Sequence, residues 1–108
     1  MNPIKFLGDS LKALRELPPD VRQDVGFQLD KVQNGRQPDD FKPMPSIGPG
    51  VGEIRVSNKS GAYRVIYLAR LAEAVFVLRV FQKKTQATSL RDVALAKARF
   101  NQLMKDRK

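Results

Sequence analysis

Cysteine and histidine are both missing from this 108-residue chain. Without cysteine there is no disulfide and no thiolate metal ligand, which suits a reducing compartment. Without histidine there is no imidazole to serve as a base or as the commonest metal ligand. No metal site and no cofactor are therefore expected. No apolar run approaches the roughly 20 residues of a membrane span. Met1–Gly8 lacks the apolar core of a signal peptide. A soluble cytoplasmic protein with no membrane partner follows, and 108 residues suit a single domain spanning 1–108.

Acidic residues are scarce in one half only. Residues 1–50 balance seven Lys/Arg with seven Asp/Glu, whereas residues 51–108 set thirteen against four and supply the whole net charge of +9. A basic surface of this kind attracts a polyanion. The competing reading is a basic domain whose charge serves solubility.

Ile4–Leu7 can form a short edge strand ended by Gly8. Asp9 or Ser10 can cap a helix with Leu11, Leu14 and Leu17 on one stripe, stopped by Pro18-Pro19. Asp20 then caps a second helix with Val21, Val25, Leu29 and Val32 at helical spacing and Gly35 at its end. Residues 36–50 carry four prolines and two glycines and read as a long loop of the kind that often carries function. Val51–Ser57, Ala62–Arg70 and Ala74–Gln82 are rich in β-branched and aromatic residues and read as strands. Asn58–Gly61 and Leu71–Ala74 turn between them. A polar loop, Lys83–Thr88, precedes a last helix opened by Ser89 and Asp92 as a capping box, with Val93, Ala96, Phe100 and Leu103 as its apolar stripe. The expected fold is α+β: a small antiparallel sheet of three strands, with a short N-terminal edge strand added, flanked by an N-terminal helical hairpin and a C-terminal helix.

A turn at Asn58–Gly61 sets residue i opposite 119 − i, so Arg55 faces Arg64. For the second hairpin, i opposite 145 − i competes with 144 − i; the first keeps Arg79 off the apolar face and is preferred. One face is then Ile54, Val56, Tyr63, Val65, Tyr67, Phe76, Leu78 and Val80, buried against the helical hairpin. The other divides into an apolar half, Ile66, Leu68, Val75 and Val77, and a charged half, Glu53, Arg55, Arg64, Arg79 and Phe81, with Lys83 and Lys84 just beyond. Like charges directly opposite one another destabilise a sheet. Glu53 can neutralise one arginine, with Arg79 as a candidate, and a phosphate held by two guanidinium forks would satisfy the rest. A solvated patch without a ligand is the alternative.

Metal-independent RNA cleavage uses the ribose 2′-hydroxyl as nucleophile. It needs help with deprotonation, phosphorane stabilisation and departure of the 5′-oxygen. The candidates are Glu53, a tyrosine, or Lys83 or Lys84, whose charged form is made costlier by Arg55, Arg64 and Arg79. Phe81 can stack on a base or pack in the core. These residues alone leave binding and cleavage equally open.

Glu53-Ile54-Arg55, then Gly61-Ala62-Tyr63-Arg64-Val65-Ile66-Tyr67, then Leu78 through Phe81-Gln82-Lys83-Lys84-Thr85-Gln86 resemble the phage-derived branch of the RelE/HigB-like toxins of type II toxin–antitoxin systems. Asp39–Pro45, which includes Lys42, and Gly48–Val51 fit the same branch, and the resemblance runs over nearly the whole chain. It implies a RelE-like fold, ribosome-dependent mRNA cleavage that inhibits translation, and neutralisation by an antitoxin, usually one with a helix-turn-helix domain. It implies phosphate contacts for Arg55 and Arg64, a basic cluster at Lys83 and Lys84, and a base role sometimes given to the position of Glu53. Arg79, Phe81 and Lys42 follow as RNA-binding residues. Relatives often carry His or Tyr near the C-terminal end of the site; this chain has neither there, which leaves the general acid unassigned.

Three other readings share these features: a non-catalytic RNA- or ribosome-binding module, a gyrase-poisoning toxin on the same fold, and a structural phage protein.

Overall fold

The computed structural model describes residues 1–84 and 89–107. The elements run β1 (Ile4–Phe6), α1 (Ser10–Arg15), α2 (Pro19–Gln33), β2 (Phe41–Pro43), β3 (Val51–Asn58), β4 (Gly61–Leu68), β5 (Val75–Lys83) and α3 (Leu90–Asp106). The architecture is α+β, as expected. Five strands form one sheet in the order β1-β5-β4-β3-β2. Helices α1 and α2 pack on one face and α3 on the other.

Pro18 caps α2 and Pro19 occupies its first turn, where a missing N–H costs nothing. Asp20, expected as the cap, therefore falls inside that turn. Val21, Val25, Leu29 and Val32 are buried along one stripe, as their spacing predicts. Gly35 closes the helix at φ +77°. Its N–H bonds to the Val32 carbonyl and the Arg36 N–H to the Lys31 carbonyl, a Schellman arrangement.

The sheet departs from expectation in two ways. It is mixed, because β1 runs parallel to β5 (Ile4↔Val75 to Phe6↔Val77). The segment expected to be a loop also contributes β2, antiparallel to β3. A proline at a sheet edge removes no ladder bond, so the proline-rich composition hid a real strand. The same segment is tied to α2: the Gln28 amide donates to Asp39 Oδ2 and accepts from the Asp39 N–H, each at 2.8 Å. Further along, Ile47 is buried in the cluster beneath α3. Gly48 lies so close to Phe100 that a Cβ there would come within 2.3 Å of the ring.

The β3–β4 register is the expected one throughout, with Arg55 opposite Arg64. The β4–β5 pair uses both competing registers. Ala62↔Lys83 through Ile66↔Arg79 follow the preferred one, while Tyr67↔Val77 and Leu68↔Phe76 follow the other. The switch leaves Leu78 without a cross-strand partner, as a β-bulge. One extra residue reverses the side-chain alternation on its far side. Val75 and Val77 consequently bury against the helical hairpin, and Phe76 and Leu78 against α3, the reverse of the expected assignment.

Helix α3 begins at the expected cap. Ser89 Oγ accepts from the Asp92 N–H at 3.1 Å and donates to the Asp92 carboxylate. Val93, Ala96, Phe100 and Leu103 pack on the sheet as one stripe. Lys83, expected to open a loop, ends β5; residues 85–88 of that loop, including Thr85 and Gln86, and Lys108 lie outside the described residues.

Candidate nucleic-acid interface

Cross-strand partners share a face, so the pairings define three rows on the α3 side of the sheet. The innermost is Lys42–Glu53–Ile66–Arg79, the next Arg55–Arg64–Phe81, and the outermost Ser57–Ala62–Lys83. The sequence-predicted residues Glu53, Arg55, Arg64 and Lys83 are thus brought to one face, with Lys42 at the edge of the innermost row. Lys84 follows at the end of β5.

Exposure divides this group. Glu53 is 2% exposed and the Arg64 side chain 10%, whereas the Arg55 side chain is 37% exposed. Lys42 and Lys84 are exposed and Lys83 is half-buried. A rim of accessible cations therefore borders a buried ion pair. The like-charge conflict between Arg55 and Arg64 is met from within: Glu53 Oε1 lies 3.8 Å from Arg55 Nε and 3.7 Å from Arg64 Nε. Among the described residues both Nε atoms are buried without a hydrogen-bond partner, because these separations are ion contacts rather than hydrogen bonds. Arg64 Nη1 donates to the Tyr63 carbonyl at 3.0 Å. Arg55 Nη1 reaches to 4.0 Å from Asp40 Oδ1.

Two expectations are corrected. Arg79 does not pair with Glu53. Its Nε donates to Asp92 Oδ1 at 2.8 Å and its Nη1 to Asp9 Oδ1 at 3.3 Å. The α3 capping box sets Asp92 directly over this arginine, so Arg79 fastens the helix to β5. Phe81 is buried in the cluster beneath α3 and offers no free face for a base. Tyr63 and Tyr67 lie in the core on the hairpin side, as expected, and burial raises the Tyr67 hydroxyl above its ordinary range. Neither reaches the charged face, which withdraws tyrosine as an acid or base there.

Sequence reasoning missed Asp9, Arg99 and Arg91. The Arg99 guanidinium donates to Asp9 Oδ1 at 2.7 Å and to the Leu78 carbonyl at 2.9 Å. The bond from Arg99, aided by the charge of Arg79, holds the Asp9 carboxyl below its ordinary value. A sequence separation of 90 residues left no local signal. Arg91 lines a cleft of about 550 Å³ together with Lys83, Lys84, Glu16 and Val80. It had a readable signal, since a basic residue in a first helical turn opposes the helix dipole.

Comparisons with known proteins bear on the fold and the family. Residues 12–101 match the family described as phage derived protein Gp49-like (DUF891). No curated protein matches the chain. Among solved structures, the isolated RelE toxin of E. coli is similar over 100% of both chains, at 20% identity and a TM-score of 0.58. A chain of the intact E. coli RelBE toxin–antitoxin complex matches with 20% identity and a TM-score of 0.54, covering 79% of this chain and 100% of that one. The sheet with its flanking helices is the RelE fold, and this chain belongs to the phage-derived Gp49-like family.

Proposed function

We propose that this protein is the toxin component of a type II toxin–antitoxin system, a metal-independent endoribonuclease that cuts mRNA on the ribosome and so inhibits translation. The observation that carries the reading is the Arg55–Arg64 pair, directly opposite on adjacent strands, on the face where Lys83 lies one row further out. Two guanidinium groups on one face suit the non-bridging oxygens of a single phosphate. In this reading Arg55 and Arg64 hold the scissile phosphate and stabilise the phosphorane. Lys83 and Lys84 stand at the open end, where one can deliver a proton to the departing 5′-oxygen, and Lys42 and Arg91 extend the contact to neighbouring phosphates. Such a protein works in the cytoplasm, where ribosomes are. Its partner is an antitoxin, as the E. coli RelBE complex holds toxin and antitoxin together, and a helix-turn-helix domain in that antitoxin is part of the proposal.

Brief induction in cells followed by mapping of mRNA 5′ ends tests this. New ends inside translated regions, abolished by Arg55→Ala, are expected. Arrest with intact mRNA defeats the proposal. A non-catalytic ribosome-binding module is favoured by one specific observation: with both tyrosines in the core and histidine absent, lysine is the proton donor left beside the site. That reading gives salt-sensitive binding and full recovery of the RNA.

A further inference from the structure

Glu53 is where the family resemblance would put a general base, but its surroundings suit a different task. We infer that Glu53 is a positioning residue, whose buried carboxylate takes the Nε edges of Arg55 and Arg64 and turns their terminal edges toward one anion. The inference rests on reading that arginine pair as a phosphate site.

Three observations lead to it. First, Glu53 is 2% exposed and lies in the innermost row, beside the fully buried Ile66. A ribose entering from the open end meets Lys83 and then the arginine row before this carboxylate. A general base must come within hydrogen-bond reach of the proton it removes. Second, the carboxylate approaches both guanidinium groups on the same edge, at 3.8 and 3.7 Å from the two Nε atoms. A guanidinium is planar with donors on fixed edges, so engaging one edge orients the other. Third, neither Nε–H is engaged in a hydrogen bond among the described residues. The carboxylate therefore orients both arginines by charge, with Arg64 Nη1 further fixed by its bond to the Tyr63 carbonyl and Nη2 left for the anion.

Positioning and plain electrostatics predict opposite signs. Removing a negative charge beside an anion site strengthens anion binding if charge alone matters. If Glu53 orients the arginines, removing it weakens binding despite the added positive charge. The test follows the two arginine Nε–Hε signals by NMR while inorganic phosphate is titrated into the native protein and into Glu53→Gln. Phosphate affinity at least fivefold weaker in the variant is expected; unchanged or tighter affinity overturns the inference. Should Glu53→Gln fail to fold, Glu53→Asp serves. It keeps the charge but draws it back by about 1.5 Å, and the same fivefold weakening is expected. Ribosome-dependent cleavage supplies a second readout. Glu53→Gln, which removes the carboxylate, is expected to raise KM and keep the acid limb of the pH–rate profile. A fall in kcat with that limb lost and phosphate affinity intact would identify a general base and defeat the inference. If the native protein binds phosphate but cuts no mRNA, cleavage fails while the titration still decides positioning. If native phosphate titration moves neither signal, the phosphate site is lost and positioning with it.

Discussion

Arg55 and Arg64 stand opposite each other yet differ in how substitution should act. Arg64 is buried and tied to Glu53 and to the Tyr63 carbonyl. Arg64→Ala should therefore cost stability on the order of 2 kcal/mol by leaving buried groups underpaired, which urea denaturation would measure. Arg55 is more exposed, and Arg55→Ala should leave the midpoint within about 0.5 kcal/mol while removing activity, making it the cleaner functional probe. Asp9 gives a pH signature. Its carboxyl titrates below the ordinary 3.8 because Arg99 and Arg79 favour its charge. Its contribution is present above pH 3.8 and is lost as pH falls through the lower folded-state value. The melting difference between the native protein and Asp9→Asn should thus be measurable at about pH 6 and vanish under strong acid; a difference that grows on acidification would contradict this. The facing arginines were legible because Asn58–Gly61 pins the register of its hairpin. The partners of Arg79 were not, since Asp9 lies 70 residues away and reaches it only through the fold.

At the level of elements, the helices and the β1 edge strand announced themselves and the β2 edge strand did not. The valine and leucine stripe of α2 has one period and one solution. Phe41–Pro43 sits among prolines, and only pairing with β3 makes it a strand. Long-range pairing also decided the bulge, where one candidate register holds for five of the β4–β5 pairs and the other for two. Helix α3 hangs on its first turn. Ser89→Ala removes the bond to the Asp92 N–H and should cost about 1 kcal/mol, with weakened protection of the first α3 amides in hydrogen exchange. Gly48→Ala sets a methyl against the Phe100 ring and should destabilise by about 2 kcal/mol, seen as a lower thermal midpoint. An unchanged midpoint would show that the 44–50 segment yields where the packing says it is pinned.

Across the whole molecule, the net charge of +9 favours a polyanion, and in the proposed RNA-binding reading the number of phosphates neutralised sets the response to salt. RNA affinity should fall steeply with ionic strength, and Lys83→Ala should reduce the slope of log K against log salt by about 1 if that lysine neutralises one phosphate. A slope the substitution leaves alone would place the RNA elsewhere. β5 joins β1, β4, α1 and α3, which gives the bulge at Leu78 a consequence for how such a chain can diversify. Because the alternation restarts there, Val75–Val77 and Phe81–Lys83 form separate modules on one strand. Hydrophobic exchanges near the first can retune the packing of both layers without redirecting the basic tip, and substitutions at the tip can alter ligand choice without rephasing the interior.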